Sequence, residues 1–407
     1  MARDGVRFDP PPLAASAELR WLLLRSFGPP EAPFADRLDG ARAIKLARDL
    51  DLAPRLATRT PAHVLVAEVG SDGARTLTLA SLAAEAMGRR VLSLMRRVAE
   101  VAADLAEPVV ALKFAALALR GRVRPGERSV CDLDVLLTEE GAERVERVFV
   151  AQGFSVVRSI ELDYHRPMLV GAGGLVLELH VALPGVHLPA GAASLAALQD
   201  ADLLEAYPEL PGRCFLPTPE LLLAHALVHG VAQHGFAPLA YPFTRMLADL
   251  IDLGLGSPDG EELFGRAAPL ISGEINGAEG AALCSLCTAL ASGEVSLLEE
   301  ERSDLLEAVL LRHAVLGPLD KEYQSALKLR GLVPFASRRS AKAWLAALRQ
   351  AVCITDGQIV IMHGAPASRA VRLWWRVFRP FQLLGRFVSY VGAAIAQRLR
   401  RRVQQRS

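Results

Sequence analysis

The sequence predicts an α+β protein, a small mixed β-sheet flanked by N-terminal and C-terminal α-helical regions. Three observations carry that reading. The composition is rich in Ala and Leu, with 51% hydrophobic residues but 6% aromatics over 407 residues, which favours helices packed through small side chains. Short apolar, β-branched runs cluster between Val109 and Val181, where the period of two needed for strands replaces the helical one. Two of these runs, Val130 to Leu137 and Val176 to Val181, carry acid where a buried strand should be apolar.

The elements follow in order from these patterns. Residues 13 to 106 read as helices broken at Gly28-Pro29-Pro30, Thr60-Pro61 and Ser71-Asp72-Gly73, since Pro and Gly punctuate helical periodicity. Leu77 to Leu105 is one long helical pattern interrupted near Gly88. Val109 to Leu112 is short, apolar and β-branched at its start, a strand feeding a helix over Phe114 to Arg120, and Arg122 to Arg128 with Pro125-Gly126 is a loop. After the first acidic strand, Glu139 to Gln152 has amphipathic helical spacing, and Phe154 to Val157, Tyr164 to Val170 and Leu175 to Val181 read as strands. Gly171-Ala172-Gly173-Gly174 falls between two strands rather than between strand and helix, so it reads as a hairpin and not as a phosphate loop. From Ala201 onward the chain reads as helical again, punctuated by Pro217-Thr218-Pro219, Gly254 to Gly260 and Gly317-Pro318. The expected organisation is a helical region over 1–106, an α/β core over 107–185, a helical domain over 200–355 and a basic, aromatic-rich segment over 356–407.

The chemistry lies in the acidic strands. Alternation puts Asp132 and Asp134 on one face and Cys131, Leu133 and Val135 on the other. Two carboxylates that close repel each other unless a cation neutralises them. An exposed strand would make Asp-x-Asp a solvated face, but the apolar run Val135-Leu136-Leu137 argues for a central strand. Glu178, between Leu177 and Leu179, can face the same side. Three carboxylates suit magnesium, or manganese in its place, because hard oxygen ligands leave positions open for phosphates.

In order, Leu112-Lys113-Phe114-Ala115-Ala116, Arg128 ahead of Asp132-Leu133-Asp134-Val135-Leu136-Leu137, Gln152-Gly153-Phe154 and Leu177-Glu178-Leu179-His180 resemble the motifs of an uncharacterised bacterial nucleotidyltransferase family with the polymerase-beta-like fold. Pro217 to His225 with His229, Arg245, Asp249 and Asp252, and further on Val377 to Leu384, are similar to the helical and Arg-Pro segments of that family. The resemblance implies a nucleotidyltransferase core that moves a nucleoside monophosphate from an NTP to a hydroxyl or phosphate acceptor. It implies that Asp132 and Asp134 ligate metal and that Glu178 completes the site as ligand or base. Lys113 and Arg128 would then offset phosphate charge, with His180 beside them in a catalytic or a structural role. Three departures stand out: Phe114 replaces the family glycine, Val181 the tryptophan, and the Gly-Ser signature of the wider superfamily is absent. They keep open a second expectation, a binding or scaffold protein on the same fold.

Other features exclude more than they assign. A net charge of +1 gives no global nucleic-acid signature. Met1 to Pro12 lacks the apolar run of a secretory signal, and five cysteines without framework spacing suit reduced thiols, so a cytoplasmic location is expected. Cys284-x-x-Cys287 lies in an apolar run and reads as core packing. His225 and His229 share a helix face at a spacing that metals use, but apolar neighbours mark the helix as a core element. No acid follows Asp356, while ten arginines accumulate among aromatics. Docking on the protein's own core, an anionic membrane surface and nucleic acid are the three readings of that tail.

Overall fold

The computed structural model describes residues 16–157, 164–189, 191–233, 243–271 and 277–294, with separate positions at 307, 311, 315, 373, 374, 376–378 and 381. The chain is mixed helix and sheet and divides into two compact units. One comprises Met1–Arg89, Arg120–Val130 and Pro219–Tyr323; the other comprises Arg90–Leu119, Cys131–Thr218 and Gln324–Ser407.

In chain order the first unit opens with α1 (Ala17–Phe27), α2 (Gly40–Asp49), α3 (Ala53–Arg59) and the greater part of α4 (Ala62–Asp104). Ser16 and Asp39 cap α1 and α2 by accepting from backbone N–H groups inside the first turn. The expected interruption near Gly88 is not found. Helix α4 runs through it, and its non-helical residue is Gly70, with φ 75°. A mid-helix glycine costs about 1 kcal/mol against Ala, which the packed flanks of α4, Val91, Leu94, Met95 and Val98, readily offset.

The second unit carries the sheet. After α4 come β1 (Pro108–Ala111), α5 (Lys113–Leu119), β2 (Asp132–Leu136) and α6 (Glu139–Ala151). There follow β3 (Ser155–Val157), β4 (Met168–Val170) and β5 (Val176–His180). Next are β6 (Leu183–Leu188), β7 (Gly191–Ala193), α7 (Leu195–Asp200), β8 (Leu204–Ala206) and β9 (Arg213–Pro217). Seven strands form one mixed sheet in the order β3-β4-β5-β2-β1-β9-β8, and β6 and β7 pair separately. Strand β2 is the middle strand, parallel to β5 and antiparallel to β1. The expectation of continuous helix from Ala201 onward fails at β8 and β9: β9 adds parallel to β1 through Val109↔Cys214. Backbone pairing with an existing strand, and not a hydrophobic period of their own, makes these short segments strands.

Local chemistry explains the sharp turns. Thr138 caps α6 by accepting from Gly141 N–H at 2.9 Å, and its hydroxyl donates to the buried Glu107 at 3.1 Å. At the other end Gly153 takes φ 95°, Phe154 N–H donates back to Phe149 O, and the two Phe rings meet edge to face at 5.0 Å. This is the glycine-terminated helix end with its accompanying apolar contact, so the Gln152-Gly153-Phe154 motif has a structural account. The expected hairpin at Gly171 to Gly174 joins antiparallel β4 and β5.

The first unit resumes with α8 (Pro219–Leu227), a π-helical turn at Val228–Gln233, α9 (Phe243–Asp252), α10 (Gly260–Ala267) and α11 (Gly277–Ser292). Ion pairs bind its separate chain segments. Arg55 grips Asp252 with two 2.7 Å bonds, and both side chains are almost wholly buried. Arg245 pairs with Asp51, which also accepts from Ser129 Oγ at 2.8 Å, and Arg128 lies 3.1 Å from Asp249. The segment Arg120–Val130 is thereby fastened to α9 and to the turn before α3. Cys284 and Cys287 are buried on α11 and burial pushes both thiols up, Cys284 to about 11, as core packing requires.

Candidate active site

The central acidic strand is fixed by its apolar face. Leu133 and Val135 are fully buried, and each such side chain contributes about 1.5–3 kcal/mol relative to exposure. A one-residue slip would carry Leu133 and Val135 off the core face, so Asp132 and Asp134 are held on the opposite one. Parallel pairing with β5 sets Asp134 directly against Glu178 and Leu136 against His180.

Asp134, Glu178 and His180 converge, with one potential ligand atom of each within 4.8 Å of the others. His180 Nε2 lies 2.9 Å from Asp134 Oδ1 and 3.7 Å from Glu178 Oε2. Lys113 Nζ reaches the same Asp134 oxygen at 2.7 Å. Asp132 stands one pleat along on the same face, outside this tight cluster, and its charge acts on Lys113 and Glu178. The ligand trio read from the sequence was Asp132, Asp134 and Glu178; the tightest trio has His180 in place of Asp132.

The position of Lys113 is unusual. It opens α5 at φ 43°, a left-handed conformation that non-glycine residues adopt at a steric cost. The preceding Leu112 N–H donates to Asp134 O at 3.1 Å. The turn is therefore tied to the acidic strand by a backbone bond on one side and by the lysine ammonium on the other. Phe114, in the family glycine position, is 3% exposed and packs inward from α5.

Burial and neighbouring charges separate the carboxyl groups. Burial opposes ionisation of Asp134, but Lys113 and the His180 hydrogen bond outweigh it and hold the group well below the usual carboxylate range. For Glu178 the same lysine charge is outweighed. Burial and then the Asp134 charge push it up to about 8. Burial works against the charge of Lys113, and Asp134, Glu178 and Asp132 more than reverse it, so the ammonium is stabilised. Burial lowers His180 below its ordinary value. A neutral His180 must donate from Nε2 to Asp134, because a carboxylate only accepts. Its buried Nδ1 then bears a lone pair with no hydrogen-bond partner among the described residues.

Tyr164 and His165 complete the surroundings, and the sequence did not mark them. Tyr164 lies nearly parallel to His180 at 6.4 Å, His165 meets the His180 ring at 5.7 Å, and Val181 N–H donates to Tyr164 O at 2.8 Å. Burial raises the Tyr164 hydroxyl, helped by Glu178. The available signal was Tyr164 and His165 at the start of a strand reading, which carries no chemistry by itself. Arg128 is described in the helical unit beside Asp249. His225 and His229 meet at 6.2 Å between ring centroids, with His225 buried.

The residues present fit a divalent cation. Two carboxylates converge, and Glu178 is raised so that it holds a proton a cation would displace, while His180, donating from Nε2, supports Asp134 rather than offering a lone pair. A sheet with such acids on adjacent parallel central strands, and a lysine poised over them, is suited to hold a cation and offset phosphate charge.

The family itself follows from comparison. This chain belongs to the family described as uncharacterised nucleotidyltransferases, whose model matches residues 36–255. The solution structure of the antibiotic-resistance factor ANT(2'')-Ia aligns at 19% identity with a TM-score of 0.33, over 44% of this chain and 91% of that one. No curated protein matches the chain.

Proposed function

We propose that this protein transfers a nucleoside monophosphate from an NTP to a hydroxyl or phosphate on an acceptor, with magnesium, or manganese in its place, at Asp132, Asp134 and Glu178. The observation that carries the reading is Asp134 facing Glu178 across the two central parallel strands, with Lys113 on the same carboxylate. Bound metal would supply positive charge to the transferring phosphoryl group. Glu178 would hold the metal once deprotonated, or would take a proton from the acceptor hydroxyl. Lys113 is a point charge for phosphate oxygens. His180 keeps the Asp134 carboxylate oriented from beneath. Thiols at Cys214, Cys284 and Cys287 that form no disulfide among the described residues support a cytoplasmic location.

A second reading, a scaffold that has lost triphosphate binding, is favoured by Phe114 and by the Lys113 ammonium, which neutralises Asp134 without a metal. A titration of the wild type and an Asp132→Asn, Asp134→Asn double variant with NTP and magnesium separates the two. Metal-dependent binding lost in the variant supports transfer; folded wild type that binds no NTP supports the scaffold.

A further inference from the structure

The helix near the C-terminus has an exposed apolar face that neither the acid site nor the core uses. Leu373, Trp374, Val377 and Phe381 are between 57% and 66% exposed, and Phe378 is 38% exposed. All five are helical. At 3.6 residues per turn Leu373, Trp374, Val377 and Phe378 fall within one arc of roughly 140°, while Arg376 lies outside it. Trp374 and Phe378, one turn apart, stack at 5.3 Å with planes 10° from parallel, so the arc presents a broad aromatic surface. These side chains are turned to solvent.

We propose that this face docks the protein on an anionic lipid bilayer, the helix lying in the plane of the interface. Charge selects this occupant. Ten arginines and no acid follow Asp356, so a second copy would bring arginine against arginine, whereas anionic headgroups attract each cationic side chain. Trp and Phe suit the boundary between headgroups and acyl chains, and arginine stems reach past apolar surface to the headgroups. Arg369, Arg372, Arg376, Arg379 and Arg386 interrupt every apolar run around these residues, so the proposal places them at the surface and not across the bilayer.

The test is flotation of the full chain with vesicles of equal parts phosphatidylcholine and phosphatidylglycerol, against pure phosphatidylcholine, with a Trp374→Glu, Val377→Glu, Phe381→Glu variant alongside. The expected result is flotation with the anionic vesicles, at least tenfold weaker partitioning for the variant, and weakening by high salt in the wild type. The variant should melt like the wild type, because the changes lie on exposed positions. Absence of flotation, or flotation unaltered by the variant, would overturn the proposal. So would a dimer in vesicle-free solution that the variant dissociates, or a DNA duplex that competes the wild type off the vesicles and whose binding needs the same three side chains. NTP binding is measured on both proteins, so a failed acid site and a failed lipid site are read separately.

Discussion

At Glu178, a proton and a cation are alternative ways of neutralising the same cluster. The carboxyl is raised from 4.5 to about 8 by burial and the Asp134 charge, so between those values the folded protein binds a proton that the unfolded chain has released. Stability from this group is present at low pH and falls as pH rises through about 8. Asp134 and His180, both lowered, contribute in the opposite direction. In EDTA, the pH profile of unfolding free energy should therefore fall more steeply between about pH 4.5 and 8 for the wild type than for Glu178→Gln, and run parallel above that. Magnesium or manganese should flatten the difference. Identical slopes for the two proteins would show that Glu178 is ionised in the folded state. Lys113 gives a second residue-scale prediction. Lys113→Met relieves no backbone strain and leaves Asp134 buried without its ammonium, which should cost about 3–5 kcal/mol in EDTA. Added manganese should recover a large part of the loss in a thermal melt; a loss untouched by metal would place the cation elsewhere.

Among the elements, the paired carboxylates of α9 govern stability more than chemistry. Asp252 holds both arms of Arg55, whose side chain is itself buried, so Asp252→Ala should cost about 3–5 kcal/mol by denaturant titration. At the end of α6, Gly153→Ala forces a left-handed backbone on alanine and should cost about 1 kcal/mol. Much of the sheet and its acids was readable in the sequence, because Leu133, Val135, Leu177 and Leu179 alternate with the functional side chains. The apolar run after Asp134 correctly marked a central strand. What alternation does not contain is the pairing partner. The residue-to-residue opposition of Asp134 and Glu178, and the recruitment of Arg213–Pro217 beside β1, depend on register between distant segments. Lys113 as partner of Asp134, and His180 within the tight trio, were hidden for the same reason.

On the scale of the whole molecule, neither compact unit is a continuous stretch of chain. The helical unit holds residues up to Arg89, then the short piece Arg120–Val130, then residues from Pro219 on, with the sheet built from the intervening segments. Arg55 meets Asp252 across 197 positions, and Thr244 donates to Leu50 O across 194. Such distant closures make slow-folding chains. They also bear on synthesis. The amino-terminal helices leave the ribosome long before α9 exists, so Arg55 and Asp51 wait with their charges uncommitted until more than half of the polypeptide has been made. A fragment ending at Thr218 would contain every described strand of the sheet but would lack Asp252 and Asp249, the partners of Arg55 and Arg128, and Arg245, the partner of Asp51. Division of the chain after Thr218 therefore separates residues that the helical unit requires together.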